Sequence, residues 1–400
     1  MKNTITVLLA VFVLIICNLT FNIDNCICQW QPDVRLTNQS DSSFTYFASG
    51  GRWNVAANGS VVHVVWCETR DGNKEIYYKR STDSGINWGA DTRLTNAAGD
   101  SWYPSISVSG LLVHVIWGDR RYGPNQEICY KRSTDGGINW EADLRLTNDT
   151  SSTSFCSISS TGLFVHVMFH DNRTGNWQIY YKRSTDGGIT WGNDNRLSNT
   201  SASSYYPSVS VSGFNVHVVW HDTRDGSSEI YYKRSTDGGI NWSADTRLTN
   251  DPSLSSCAQI AVSGSNVHVI WYDNRNGNYE IYYKFSVDGG INWDVDTRLT
   301  NDPALSHYPC VAVLGSAIDV IWADTRDGNY EIYFKQSTNG GVSWGTDTRL
   351  TYDPAESSYP SIAVSGSVVH VVWTDNRDGN YEIYYKRNPT GNPIGIVPIN

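Results

Sequence analysis

One eight-residue pattern, Ser-x-Asp-x-Gly-x-x-Trp, returns along this chain of 400 residues and limits what the chain can become. It begins at Ser81, Ser133, Ser184, Ser235 and Ser286, and a sixth copy at Ser337 carries Asn339 in place of the aspartate. An Asp carboxylate at such a corner accepts hydrogen bonds from the N–H groups of its own turn, and glycine supplies the positive φ that a β-carbon opposes. The Trp then buries a large ring beside the corner. A second string, Arg-Leu-Thr (once Arg-Leu-Ser), starts at Arg35, Arg93, Arg145, Arg196, Arg247, Arg298 and Arg349. Its successive spacings are 58, 52, 51, 51, 51 and 51 residues, which gives seven units.

Within a unit, the segments YPSIAVSG (residues 359–366), VVHVVWTD (368–375) and EIYYK (382–386) alternate apolar and polar residues and end at Gly, Asn or Asp. Each reads as a strand, and Arg-Leu-Thr makes a fourth. Four short strands in every 51 residues predict an all-β, seven-bladed β-propeller of four-stranded blades. The ends of the chain predict how the ring closes. Trp30 to Thr37 matches the end of the corner plus a fourth strand, and the last unit stops after Lys386 with neither corner nor fourth strand. The N-terminal strand should therefore join the last blade and remove its free edge.

The eight-residue corner resembles the Asp-box, or bacterial neuraminidase repeat, of sialidases and other β-propellers. That resemblance implies the fold more than an activity. Sialidases have six blades, an aromatic-Arg-Ile-Pro motif, two further carboxylate-binding arginines, a Tyr–Glu nucleophile pair and an Asp acid/base. This chain has seven units and no Arg-Ile-Pro string; Arg52-Trp53-Asn54 comes nearest. Glu75, Glu127, Glu229, Glu280, Glu331 and Glu382 are one repeated position, with Gln178 in the third unit, so none stands out as catalytic. Glycoside hydrolysis needs two carboxylic groups in different environments.

A net charge of -10, with Lys and Arg interleaved among Asp and Glu, argues against a nucleic-acid partner. Lys2 followed by an apolar run at residues 7–16 reads as a signal peptide, with cleavage expected after Cys28. The expected organisation is signal peptide 1–28, propeller 29–388 and tail 389–400, exported, with no membrane span after processing. Cys67, Cys129, Cys156, Cys257 and Cys310 would remain. Their odd number and spacing fit buried small hydrophobes better than a disulfide or zinc framework.

Two further repeats carry polar chemistry. His63, His114, His166, His217, His268 and His370 share one strand position, with Asp319 in the sixth unit. Repetition favours a structural hydrogen bond over a metal site, and no metal or cofactor is expected. The hairpin Asp-x-Arg (Glu68 with Arg70 in the first unit) reads as a fixed ion pair in preference to a ring of anion-binding arginines, and an EF-hand is excluded because Arg stands where a ligand oxygen is needed.

Candidate ligand residues are those that break the repeat on the face opposite the Asp-boxes. Of 16 Trp, only Trp53, Trp102 and Trp177 belong neither to an Asp-box nor to the second strand. Arg52, Arg120, Tyr122, His170, Tyr205 and His221 are unrepeated on the same face, and the first unit has about seven additional residues near 41–51. Aromatic rings, Arg and His suit a sugar surface, by stacking and by hydrogen bonding to hydroxyls and a carboxylate. The expected function is non-catalytic recognition of a glycan or another extracellular ligand such as a protein. A divergent sialidase-like exo-glycosidase using Arg52 and a structural docking module are the alternatives.

Overall fold

The structure, a computed structural model, describes residues 30–45 and 54–391. It is all-β, and its seven sheets are the blades of a propeller. The second blade shows the pattern: Ser101–Ser109, Leu112–Asp119, Glu127–Ser133 and Leu144–Arg145 pair in sequence order, all antiparallel. The first strands of all blades line the axis, where small side chains such as Ala56, Ser107, Ala261, Ala312 and Ala363 leave a cavity of about 180 Å³. Seven apolar clusters form the core, each shared by two neighbouring blades. Among the described residues no helix is long and apolar enough to cross a membrane.

The Asp-box corner explains how neighbouring blades fix one another. Asp237 Oδ1 accepts hydrogen bonds from the backbone of Ile240 at 3.1 Å and Asn241 at 2.9 Å, while Ser235 Oγ receives the N–H of Gly239 at 2.9 Å. Gly239 has φ 84°, and a β-carbon there would strike the hydroxyl of Tyr181 in the preceding blade. Trp242 then meets the ring of that same Tyr181 edge-on, centroids 5.0 Å apart. On its own sheet Tyr181 hydrogen-bonds His166 Nδ1 at 2.7 Å. The repeated histidines make the structural hydrogen bond that repetition favours: all six bond the third-strand tyrosine of their blade at 2.7–2.8 Å. In the sixth blade that tyrosine is Phe334, and Asp319 instead accepts from Gln336 Nε2 at 2.7 Å.

The ring closes as the terminal sequences imply. Val34–Arg35 pairs with Tyr385 and Tyr384, and Asp33 accepts from Arg377 at 2.8 Å and Lys386 at 3.0 Å. One detail corrects the expectation that the last blade has no corner of its own. Asn388 lies in register with Val369, as Ser81 does with Val62, and its Oδ1 receives the N–H of Thr390 at 3.0 Å. Gly391, φ 60°, occupies the position of Gly136, φ 73°, and its carbonyl accepts from Gln336 as the Gly136 carbonyl does from Arg80. Trp30 completes the corner by meeting Phe334 edge-on at 5.0 Å. The seventh Asp-box is thus assembled from both ends of the chain.

Cys67, Cys129, Cys156, Cys257 and Cys310 are all buried, and no disulfide joins any two of them. In the first blade, Ser43–Phe44 pairs with Glu68 and Cys67, and the first strand resumes at Val55–Asn58.

Two outcomes follow from the corner. Trp30→Ala is expected to destabilise the whole ring by about 3 kcal/mol, as much as Trp242→Ala, in one cooperative thermal transition; a separate early transition would show that the split corner is not part of the ring. Burial holds His63, His166, His217 and His268 at about 4, and His114 and His370 at about 3, so each stays neutral when folded. Their contribution is complete above the unfolded value of about 6.5 and falls as pH drops toward 4. Asp319 has the opposite sign, because burial raises it to about 7 and its contribution is lost as pH rises. Asp319→Asn is therefore expected to raise the melting temperature at pH 8, with a gain that shrinks to nothing near pH 4; equal gains at both pH values would contradict the assignment.

Candidate functional site

On the face opposite the Asp-boxes, the repeat's charged groups are already committed to one another. In the fourth blade, Arg224 donates to both oxygens of Asp222, at 2.9 and 2.7 Å, and to Asp245 at 2.8 Å. Asp222 also receives Trp220 Nε1 at 3.1 Å, and the guanidinium lies 4.1 Å over the Tyr231 ring. Equivalent pairs hold Arg70, Arg121, Arg173, Arg275, Arg326 and Arg377. The ion-pair reading of Asp-x-Arg is therefore what the structure shows. The six third-strand glutamates are buried, and each accepts from the Arg and the Thr of its own fourth strand, as Glu229 does from Arg247 at 2.7 Å and from Thr249.

What remains at the mouth of the channel is aromatic and imidazole. In blades two to seven the first strand bulges near its start, and the bulged residue has positive φ: Tyr103 61°, Phe155 49°, Tyr206 52°, Cys257 59°, Tyr308 54° and Tyr359 53°. A non-glycine residue in this region costs about 1–2 kcal/mol, and strain of this kind gathers at functional sites. Neighbouring collar rings meet in two runs, separated by Cys257: Tyr103 meets Phe155 at 4.8 Å and Phe155 meets Tyr206 at 4.7 Å, and Tyr308 meets Tyr359 at 4.6 Å.

The candidate residues fall around this collar unequally. Trp177 and Tyr205, on neighbouring blades, lie 6.4 Å apart, both half-buried and both packed on His170, at 4.7 and 5.7 Å. His170 itself is only 2 % exposed and His221 8 %, so these two support the surface from beneath and are not contact groups, contrary to expectation. His170 Nδ1 accepts the N–H of Tyr206 at 3.3 Å, and His221 Nδ1 hydrogen-bonds Ser256 Oγ at 2.8 Å. Burial lowers His221 to about 4, leaving a neutral imidazole at the collar.

Trp102 is half-buried and is not an open stacking platform: Lys74 Nζ lies 4.4 Å and Arg120 4.6 Å from its ring, and Tyr103 stacks on it at 5.6 Å. Through Tyr103 and Phe155 it is linked to the His170 group. Tyr122 stands apart, 44 % exposed and 4.4 Å from the Arg145 guanidinium on the outer strand. Arg52 and Trp53 lie outside the described residues.

Several residues of the mouth were missed. The collar tyrosines were set aside because they recur, although Tyr before Pro at a strand start was the available signal. Tyr272, Tyr279, His307 and Tyr330 form a second aromatic group across blades five and six, with Tyr279 and Tyr272 4.8 and 5.3 Å from the His307 ring. The two groups give the mouth rings and neutral hydrogen-bonding atoms, which suit C–H faces and hydroxyls.

Comparison with known proteins agrees with this architecture. The model of the BNR repeat-like domain matches residues 111–371. No curated protein sequence matches the chain. Among solved structures, an ulvan lyase from a new family of polysaccharide lyases is similar with TM-score 0.62 and 12 % identity, over 88 % of this chain and 95 % of that one. The endosialidase of phage phi92 has TM-score 0.56 and 10 % identity, over 93 % and 71 %. A Dyadobacter fermentans protein of unknown function has TM-score 0.56 and 13 % identity, over 73 % and 95 %.

The committed state of the hairpin arginines has a measurable consequence. Arg275→Ala leaves the fully buried Asp273 without its partner and is expected to cost about 3–5 kcal/mol in stability. A variant that melts like the wild type would return these arginines to the list of ligand groups.

Proposed function

Because the chain belongs to the BNR repeat-like domain family, we propose that it is an exported, non-catalytic propeller that binds glycan at the mouth opposite its Asp-boxes. The observation that carries this reading is the half-buried pair Trp177 and Tyr205, packed on His170 beside a strained aromatic collar. Half-exposed rings offer flat apolar faces to the C–H side of a sugar, while Tyr hydroxyls meet its hydroxyls. Two proteins of the same fold are, by name, an endosialidase and an ulvan lyase, which supports a carbohydrate as the ligand class.

The way the repeated acids are used supports the non-catalytic reading. Each repeated glutamate accepts from an arginine and a threonine in the same way, so the set contains no pair with diverging environments. Export rests on the N-terminal Lys2 and apolar run. A structural docking module is the competing class, and it predicts no glycan binding.

A glycan array probed with the purified protein tests the reading, followed by titration of variants with the best ligand. Trp177→Ala and Tyr205→Ala are each expected to weaken binding about fivefold with little change in melting temperature, the contribution of roughly one stacked ring. Trp242→Ala should do the reverse, lowering stability and leaving the affinity of the folded fraction intact. A blank array, or release of sugar from a bound oligosaccharide, would overturn the proposal.

A further inference from the structure

The third blade departs from the repeat in a way that frees a charge. On six blades the outer-strand arginine is tied to the buried glutamate of its own third strand: Arg35 to Glu382, Arg93 to Glu75, Arg145 to Glu127, Arg247 to Glu229, Arg298 to Glu280 and Arg349 to Glu331, at 2.6–3.0 Å. Four of these arginines also reach the acid at the tip of the second hairpin: Arg35 to Asp378, Arg93 to Asp71, Arg247 to Asp225 and Arg349 to Asp327, at 3.1–3.5 Å. In the third blade both acids are gone. Gln178 replaces the glutamate, and its amide is spent on Ser198 at 3.0 Å and on the carbonyls of Thr200 and Ala202 at 3.2 and 2.8 Å. Thr174 replaces the hairpin acid.

Arg196 is left with a single polar contact among the described residues, from its Nε to the carbonyl of Ser198 at 2.8 Å. By strand register it takes the place of Arg298, which in the fifth blade borders a notch between the hairpin and the loop that follows the outer strand. In the fifth blade, where Asn276 has replaced the hairpin acid, the same notch is an open cavity lined by residues 276–278, Arg298 and residues 301–303. There Glu280 still neutralises the arginine. In the third blade the matching groups Thr174, Asn176 and Asn199 are exposed and neutral. Trp177 lies on this same hairpin, three residues beyond Thr174.

We propose that Arg196 is an anion-binding residue, and that the glycan seated at Trp177 carries a carboxylate or a sulfate ester that this guanidinium receives. The inference rests on the glycan reading above and names the class of sugar. A planar guanidinium without an internal partner presents paired N–H donors to two oxygens of a carboxylate or sulfate, a geometry in which Arg is favoured over Lys. No other outer-strand arginine among those described is free to do so, because each is already paired within its blade.

The test compares wild type, Arg196→Gln and Gln178→Glu. The last restores the pairing that six blades already use, so it is expected to fold and to melt no lower than the wild type. Each protein is titrated with tetragalacturonate, which offers carboxylates alone, with a carrageenan tetrasaccharide, which offers sulfates alone, and with a neutral galactan tetrasaccharide. The wild type should bind one acidic probe about tenfold more tightly than the neutral one, with an affinity that falls as salt rises. Both variants should drop to the neutral level, and the preferred probe identifies carboxylate or sulfate. Binding that is equal for acidic and neutral probes, or unchanged in both variants, overturns the role of Arg196 and leaves glycan recognition standing. A protein that retains neither these probes nor any member of a glycan array loses both readings. A ligand-free arm uses phenylglyoxal, which modifies unpaired guanidinium groups. Arg196 should be labelled before Arg93 and Arg247, and Gln178→Glu should slow it; equal labelling would contradict its being free.

Discussion

The contact on which this ring depends is a tyrosine hydroxyl seated under a glycine. At each regular blade interface, the third-strand tyrosine of one blade reaches beneath the second Asp-box glycine of the next, where a β-carbon would collide with it. The Asp-box tryptophan then covers the same ring edge-on, at 4.9–5.0 Å on every such interface. Three demands of the sequence pattern thus serve one joint: positive φ at Gly, a carboxylate or amide to hold the turn, and a ring to close it. Asn339 satisfies the second demand as a neutral group, receiving the N–H of Ser343 at 2.9 Å. A joint repeated around a closed ring leaves no free edge, and the split seventh corner extends it across the chain termini.

Such a scaffold decides where novelty can sit. The Asp-box side cannot vary without loosening a joint. On the other side, hairpin arginines, third-strand lysines and acids consume one another blade by blade. A ligand there meets the leftovers: aromatic rings and any charge whose internal partner has been lost. Positive φ at six collar residues is consistent with this, since closure of the ring holds the backbone in a conformation that the local sequence would not choose.

Much of the architecture was legible because repetition reports geometry directly. Spacing gave the blades, and the complementary deficits of the two ends gave the shared blade. The split corner was hidden, since Asn388-Pro389-Thr390-Gly391 looks unlike Ser-Thr-Asp-Gly until strand register aligns Asn388 with the Asp-box serines. At the mouth, departure from the repeat marked Trp177 and Tyr205, whose rings the structure brings to 6.4 Å from each other. It could not tell exposed from buried, so His170 and His221 were placed at the surface when they lie below it. The opposite error hid the collar, because repeated residues were assumed to be structural. Arg196 was invisible for a different reason: it keeps the consensus residue, and only the loss of two acids elsewhere in its blade changes what it can do.

The central claim is that the two faces have divided their work, with the joints on one and recognition on the other. Hydroxyl-radical footprinting of the protein with and without a bound oligosaccharide measures this directly. Protection is expected at Trp177, Tyr205 and Tyr206. The Asp-box residues Ile138, Ile189 and Ile240, each about 60 % exposed on the opposite face, should be unaffected. Protection of those isoleucines with Trp177 and Tyr205 unchanged would place the ligand on the jointed face and contradict the account.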